Sequence, residues 1–168
     1  MIHIVKAITA DLKTITEIAH KTWPVAYGEI LSPAQLDYML KVFYSKESLQ
    51  ANMDNGHEFI LAIENTVALG FASFEHQYEN SFKTKIHKIY MLPEAQGKGI
   101  GKLLIDAIEK MTLDKGCKSL LLNVNRFNKA IGFYQKMGFQ IIQEIDIEIG
   151  LGYLMEDYVM EKVLSCCK

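Results

Sequence analysis

A glycine- and lysine-rich segment near the middle of this 168-residue chain has the residue types and spacing that most clearly favour chemistry. Residues 96–102 read QGKGIGK, and apolar residues at helical spacing follow from Ile100. Glycines let a backbone turn sharply and approach a ligand closely. The amides and dipole of a helix N-terminus favour an anion, and Lys98 and Lys102 add positive charge. The segment therefore predicts a phosphate or pyrophosphate site.

Other phosphate-binding motifs fit this segment poorly. A Walker loop needs Gly-x-x-x-x-Gly-Lys followed by Ser or Thr, but Gln96 and Leu103 occupy its first and last positions. A dinucleotide fingerprint needs G-x-G-x-x-G, whereas Gly97, Gly99 and Gly101 are two residues apart. A nucleotide-binding regulator therefore has little support. The remaining alternative is a glycine-rich turn with solvated lysines.

Two sequence blocks resemble the GNAT N-acetyltransferase superfamily. Residues 89–101, IYMLPEAQGKGIG, look like its acetyl-CoA-binding core, a strand followed by (Gln/Arg)-x-x-Gly-x-(Gly/Ala), with Gln96, Gly99 and Gly101 at the marked places. Residues 128–139, NKAIGFYQKMGF, resemble its later Asn-x-x-Ala-x-x-x-Tyr-x-x-x-Gly-Phe signature. The resemblance implies an enzyme that moves an acetyl group from acetyl-CoA to a primary amine. A non-catalytic acyl-CoA-binding module is the alternative.

The resemblance also implies where acetyl-CoA binds. The pantetheine arm would add to the end of the strand at residues 89–91, and the pyrophosphate would lie on the amides of residues 96–102. The strands that carry Met91 and Asn123 would separate around the thioester. The implied cofactor-binding residues are Ile89, Tyr90, Met91, Gln96, Gly97, Lys98, Gly99, Ile100, Gly101, Lys102, Asn123 and Asn128.

Direct attack by an amine needs a proton acceptor for the amine and a proton donor for the departing thiolate. The resemblance assigns the donor to Tyr134, since a phenol with a reference pKa near about 10 stays protonated at neutral pH. Family members often place a carboxylate early on the strand at residues 82–91, where this chain has Lys85 and His87. His87 and Glu75 are therefore the two candidate bases. The alternative role of Tyr134 is that of an aromatic residue in the core. The alternative for His87 and Glu75 is that they are exposed residues on the face of a strand.

The acceptor amine would enter beside the first two helices of such a fold. Trp23 and Tyr27 could stack on its carbon chain or cradle its cation, and Glu29 could hold a second positive end. Residues 22–40 weakly resemble a bacterial subgroup with polyamine acetyltransferase-like members. A polyamine-like small molecule or a peptide is thus the expected acceptor. Core packing is the alternative role for Trp23 and Tyr27.

The hydrophobic pattern predicts an α/β protein with about seven strands in a mixed sheet covered by helices. The resemblance implies the acyl-CoA N-acyltransferase fold, a mixed, mostly antiparallel sheet of about seven strands flanked by helices. Strands are predicted at residues 2–7, 58–63, 67–78, 82–91, 119–124, 139–147 and 153–163. The strands on either side of the helix at Ile100 should be parallel neighbours.

Local signals predict the limits of the helices. Asp11 and Asn128 are expected as N-caps, and Ser32-Pro33 and Ser45 should open two further helices. Pro24 is expected to stop or bend the first helix.

Composition excludes several classes of protein without choosing a reaction. The net charge of -2 gives no support to nucleic acid as a partner. No apolar run is long enough for a membrane span, and the first residues lack a secretory pattern. Cys117, Cys166 and Cys167 form neither a disulfide framework nor a metal-ligand spacing, so reduced thiols and no metal are expected. We expect one cytoplasmic domain over residues 1–168, with a homodimer as the default assembly.

Overall fold

The computed structural model describes residues 1–165, so the predictions for Cys166 and Cys167 lie outside the described residues. The chain forms two compact units. The first comprises Met1–Glu75 and His87–Ile108, and the second His76–Ile86 and the described part of Glu109–Lys168.

Residues 1–165 contain seven strands and five α-helices in nearly the predicted order. Short 3-10 turns lie at Thr9–Asp11, Tyr78–Asn80 and Pro93–Ala95. The elements are β1 (Ile2–Lys6), α1 (Leu12–Tyr27), α2 (Pro33–Tyr44), α3 (Lys46–Asp54), β2 (Glu58–Glu64), β3 (Val67–Glu75), β4 (Lys83–Met91), α4 (Ile100–Asp114), β5 (Ser119–Asn125), α5 (Ile131–Lys136), β6 (Gln140–Glu148) and β7 (Leu154–Val163).

The strands of the first unit form an antiparallel meander. β1 pairs with β2, and β2 pairs with β3. Asn65 and Thr66 join β2 to β3 with φ values of 49° and 69°. Positive φ at both central residues is the geometry of a tight hairpin turn whose twist matches that of its strands. β2 and β3 therefore form a hairpin.

The strands of the second unit combine one parallel and two antiparallel pairings. Lys83–Ile86 of β4 pairs in parallel with Ser119–Leu122 of β5, as the crossover through α4 predicts. β7 pairs antiparallel with both β5 and β6. The strand order β1-β2-β3-β4-β5-β7-β6 makes one seven-stranded, mostly antiparallel sheet, so the predicted fold class is confirmed.

Two of the predicted helix starts are confirmed by their hydrogen bonds. Ser32 Oγ accepts from Gln35 N at 3.1 Å, with Pro33 at the first helical position of α2. Ser45 Oγ accepts from Ser48 N at 3.2 Å and opens α3. A serine acceptor satisfies an amide that has no partner inside the helix.

Two local predictions need correction, and a third is confirmed in position only. Asp11 is the N-cap residue of α1, but its Oδ2 accepts from Ile8 N at 2.8 Å across the preceding 3-10 turn and makes no capping bond to that helix. Pro24 lies inside α1 and does not stop it. The three residues after Pro24 stay helical, and the buried Tyr27 ring packs 4.6 Å from the Trp23 ring one turn earlier. Asn128 Oδ1 accepts from Ala130 N at 2.8 Å in the turn before α5, whose N-cap is Ala130.

Each unit has its own apolar interior. Leu12, Phe71 and Phe74 are fully buried in the first unit, as is Leu120 in the second. Within residues 1–165, no helix combines the length and the apolar character that a bilayer span requires.

Candidate active site

The glycine-rich segment forms the turn that the sequence predicts between β4 and α4. Gly97 and Gly99 have φ values of 84° and 74°, a region that side-chain-bearing residues rarely adopt. Leu103 N donates to Gly99 O at 3.1 Å, the first bond of the α4 ladder. The amides of Ile100 and Gly101 precede that bond and open the helix, where an anion is favoured.

Both lysines of this segment are paired with carboxylates. Lys98 Nζ lies 2.7 Å from Glu64 Oε2, and Lys102 Nζ lies 2.6 Å from Asp106 Oδ2. The hydrogen bond and charge of Lys98 lower the pKa of Glu64. An incoming phosphate must therefore compete with these carboxylates for the lysine charges.

The end of β4 is held tightly within the first unit. Thr22 Oγ1 donates to Met91 O at 3.3 Å, and Leu92 N donates to Leu69 O at 2.8 Å. A Cβ on Gly70 would lie 2.9 Å from Tyr90 O and 3.2 Å from Met91 Cα. Gly70 therefore permits a close approach of β3 to the residues predicted to bind pantetheine. The sequence alone did not indicate this role of Gly70.

An aromatic cluster of Trp23, Tyr27, Tyr44 and Tyr90 occupies the first unit. The Tyr27 and Tyr90 hydroxyls are 2.9 Å apart, and the Trp23 and Tyr90 ring centroids are 5.8 Å apart. Trp23 and Tyr27 are only 4% and 5% exposed, and burial raises the pKa of the Tyr44 hydroxyl. Two predicted acceptor residues thus contact a predicted cofactor residue, whereas Glu29 is exposed.

Lys88 lies beside this aromatic cluster. Its Nζ is 5.5 Å from the centroid of the Tyr44 ring and donates to Asn52 Oδ1 at 3.3 Å. Burial lowers the pKa of the Lys88 ammonium to about 8. The sequence did not indicate a role for Lys88, because a lysine on a strand gives no local signal of burial.

The two candidate bases lie together, with a third group that the sequence did not indicate. Glu75 Oε1 is 3.9 Å from His87 Nε2 and 3.8 Å from His57 Nε2. The two imidazole rings stack with centroids 4.1 Å apart and an interplanar angle of 1°. Burial lowers the pKa of His57, Glu75 opposes that shift, and Lys88 adds to it. His57 precedes β2, and its separation in sequence from Glu75 and His87 matches no recognisable motif.

Asn123 of the second unit belongs to a buried polar cluster. Its Oδ1 accepts a hydrogen bond from Lys85 Nζ, and its side chain also bonds to Asp157. Burial raises the pKa of Asp157 to about 6, although Lys85 and Arg126 oppose the shift. Burial likewise lowers the pKa of Lys85. Neither Lys85 nor Asp157 was among the predicted site residues.

Tyr134 and Asn128 also lie in the second unit. The Tyr134 ring is 8% exposed and packs against Phe133 and Phe139, with centroids 5.4 Å and 5.9 Å away. Its role as a proton donor and that of Asn128 as a cofactor ligand stay predictions. The predicted residues Ile89, Tyr90 and Met91 end β4 and are partly buried.

The chain was compared with known families, proteins and structures. A model described as the acetyltransferase (GNAT) family matches residues 12–139. A spermidine N(1)-acetyltransferase of Thermoplasma acidophilum is 30% identical over 96% of this chain and 96% of its own length. A [ribosomal protein bS18]-alanine N-acetyltransferase of Haemophilus influenzae is 32% identical over 62% of this chain and 67% of its own.

Solved structures agree in fold. A PaiA N-acetyltransferase from Thermoplasma acidophilum in complex with coenzyme A superposes with a TM-score of 0.82 and 29% identity, covering 98% of this chain and 99% of that one. A GCN5-related N-acetyltransferase from Rhodopseudomonas palustris gives 0.83 at 21% identity, covering 96% and 95%, and supports the fold alone. The family match spans most of the chain and includes both motif blocks. The chain therefore belongs to the acetyltransferase (GNAT) family and is an N-acetyltransferase that uses acetyl-CoA as co-substrate.

Proposed function

We propose that this protein transfers the acetyl group of acetyl-CoA to a primary amine of a polyamine-like small molecule. The choice of a polyamine-like acceptor rests on the similarity to a spermidine N(1)-acetyltransferase along 96% of both chains. A peptide amine is the second candidate, because a relative that acts on the alanine of a ribosomal protein matches 62% of this chain.

Acetyl-CoA binds at the glycine turn in this proposal. The pyrophosphate lies on the amides that open α4, next to Lys98 and Lys102. The positive φ values of Gly97 and Gly99 support the assignment, because they turn the chain sharply into the helix. Asn123 and Asn128 are also proposed to contact the cofactor, because the resemblance to the family implies this role for them.

The acceptor nitrogen attacks the thioester carbon directly. The new C–N bond forms as the C–S bond breaks, so the electron pair leaves with sulfur as a thiolate. The amine proton passes to His87 or Glu75, directly or through water, and the thiolate takes a proton from the Tyr134 hydroxyl. His87 Nε2 and Glu75 Oε1 lie 3.9 Å apart, which is too far for a direct hydrogen bond, so a proton would pass between them through a bridging water molecule.

The carbon chain of the acceptor packs near Trp23 and Tyr27. Their low exposure means that a ligand reaches only their edges unless α1 and its neighbours shift. Glu29 is exposed and can attract the second ammonium group of a polyamine. An acceptor with two separated amines therefore suits the proposal better than a monoamine.

The acceptor class is tested by measuring CoA thiol release with spermidine, an aminoglycoside, free amino acids and a peptide with a free N-terminus. We expect the highest kcat/KM with spermidine. Absence of CoA release with every polyamine, together with turnover of the peptide, would favour the second candidate.

Tyr134→Phe separates an enzyme from a binding module. We expect CoA binding to be kept and turnover to fall by roughly 10²- to 10⁴-fold, because the thiolate loses its proton donor. Tyr158→Phe on β7 is the matched control and should turn over normally. Equal turnover of the two variants would remove Tyr134 from the mechanism.

The base is tested by comparing Glu75→Gln with His87→Gln at one pH and saturating acetyl-CoA. The variant that loses more kcat identifies the group that takes the amine proton. Wild-type kcat in both variants would exclude both candidates.

A cytoplasmic homodimer completes the proposal. Cys117 is a buried free thiol, in keeping with a reducing compartment. Ile141, Ile142 and Ile147 of β6 are exposed large apolar side chains, which a second copy could cover. Sedimentation equilibrium tests the assembly, and a monomer at micromolar concentration would contradict it.

A further inference from the structure

His57, Glu75 and His87 form a cluster with ligand chemistry that the acetyl transfer does not require as a whole. One donor atom from each residue lies within 4.8 Å of the other two. All three residues belong to the first unit, immediately before β2, at the end of β3 and in the middle of β4. We call this set the His–Glu–His cluster.

The distances in the His–Glu–His cluster are close to those of a metal centre. Ligands about 2.1 Å from a tetrahedral zinc ion lie roughly 3.4 Å from one another. The two nitrogen–oxygen separations here are 3.8 Å and 3.9 Å. The separation of the two imidazole nitrogens is at most 4.8 Å, so side-chain shifts of up to about 1 Å would bring the donors to bonding geometry.

His57 gives a second, independent observation. Its Nδ1 is buried and has no hydrogen-bond partner among the described residues. A buried polar atom without a partner is costly, and the ring can present either nitrogen to an ion. The two rings stack in parallel and their lone pairs lie in the ring planes, so one imidazole must rotate about its Cβ–Cγ bond for both rings to direct a nitrogen to one ion beside the Glu75 carboxylate.

We propose that the His–Glu–His cluster binds one divalent transition-metal ion of the zinc class. Two imidazoles and one carboxylate are a recognised zinc ligand set, whereas magnesium and calcium prefer oxygen ligands throughout. The side chains of His57, Glu75 and His87 are 16%, 24% and 20% exposed, so a fourth position stays open to water. The sequence predicted no metal because the three ligands come from separate elements.

Occupation of this site has a consequence for catalysis that rests on the proposed function. The ion would bind both candidate bases, Glu75 and His87, through the lone pairs that must accept the amine proton. Zinc is therefore an inhibitor in this account. Removal of zinc by a chelator restores turnover.

Calorimetric titration of the full chain with Zn²⁺ tests the site without measuring activity. We expect one equivalent to bind to the wild type, no binding of Mg²⁺, and an affinity loss of at least about ten-fold in His57→Gln. His3→Gln changes an exposed histidine of β1 and should bind like the wild type. Equal affinity in His57→Gln and the wild type would overturn the proposal.

The adjacent Cys166 and Cys167 could bind Zn²⁺ through thiolates, so the titration is repeated in a double Cys166→Ser, Cys167→Ser variant. We expect an unchanged equivalent, and a Co²⁺ spectrum of the wild type without a thiolate charge-transfer band. Loss of binding in the double serine variant would assign the ion to the cysteines and overturn the proposal.

Inhibition gives a further readout. Zn²⁺ should lower the turnover of the wild type far more than that of His57→Gln, each compared with its own metal-free rate. If no acceptor is acetylated, the proposed function fails while the calorimetric result still decides the metal site. Binding without inhibition would overturn the inhibitory role.

Discussion

Lys98 Nζ lies 2.7 Å from Glu64 Oε2, so a charge next to the predicted pyrophosphate site is already paired with a carboxylate. Glu64 ends β2, and Lys98 lies between the two glycines with positive φ. The cofactor and this carboxylate therefore compete for one ammonium group. The contact provides a simple way to vary cofactor affinity without changing the glycine turn.

Glu64→Gln should tighten CoA binding by roughly two- to five-fold at low salt, because Lys98 is released from a partner that must be displaced. The gain should shrink as salt is raised, since exposed charges are screened. Calorimetric Kd values at two ionic strengths measure both effects. Glu47→Gln on α3 removes the same charge elsewhere and should alter the Kd less. A weaker or unchanged Kd in Glu64→Gln would show that Glu64 does not compete with CoA.

Gly99→Ala should weaken CoA binding by at least about ten-fold, because an alanine at φ 74° is strained by about 1–2 kcal/mol and distorts the turn. Gly56→Ala is the matched control, since Gly56 has φ 93° and open space around its Cα. Both variants should lose similar stability in urea, but Gly99→Ala alone should lose CoA affinity. Equal CoA affinities of the two variants would show that the glycine turn does not shape the CoA site.

Gly70→Ala should destabilise the protein by about 1–3 kcal/mol and weaken CoA binding, because the added Cβ would lie 2.9 Å from the Tyr90 carbonyl oxygen. The backbone of β4 must then move away from β3 at the residues predicted to bind pantetheine. Gly132→Ala meets no atom within 4 Å and should be neutral or stabilising. Urea unfolding and CoA titration of both variants decide the point, and a Gly70→Ala protein with normal CoA affinity would contradict it.

Periodicity and turn residues were enough to predict the seven-stranded sheet, because each signal is local. Ser32 and Pro33 open α2 as expected, and Asn65 of the hairpin turn is a residue type that tolerates positive φ, whereas the β-branched Thr66 is not. Pro24 does not stop α1, and the contact of the Tyr27 hydroxyl with that of Tyr90, which fixes the last turn of α1 against β4, is tertiary and has no local signal. The net charge of -2 gives no overall electrostatic field that would attract CoA, which is consistent with an anion site made from local backbone amides.

The site was predictable only where its residues are consecutive. The glycine turn at 96–102 could be found from spacing, but the partners of its lysines could not, because Glu64 lies 34 residues from Lys98. His57 stacks on His87 from a distant part of the sequence, and Asp157 joins Asn123 across paired strands. These contacts depend on strand register. The hydrophobic pattern indicates which face of a strand is buried, but it does not indicate which residues of two strands lie opposite each other.

Asp157 should make stability depend on pH. Its pKa is about 6 in the folded chain against an ordinary value of 3.8, so the folded state binds this proton more tightly. The stability that it contributes is complete below about pH 4 and is lost as the pH rises through about 6, a change on the order of 3 kcal/mol. Asp157→Asn should lack this loss.

Urea unfolding of the wild type and Asp157→Asn at pH 4.5 and pH 7.5 measures this difference. The variant should gain stability over the wild type at the higher pH. Asp114→Asn, which changes an exposed aspartate, should follow the wild type at both pH values. Parallel pH curves for all three proteins would contradict the raised pKa.

The most direct test of the central claim is a mass-spectrometric balance of acetyl-CoA, spermidine and the protein. We predict one acetylspermidine for each CoA thiol released, and no acetylated protein when acetyl-CoA is mixed with the enzyme alone, because the amine attacks the thioester without an acyl-enzyme intermediate. A stoichiometric acetyl-enzyme in the absence of acceptor, or CoA release without acetylspermidine, would contradict the account.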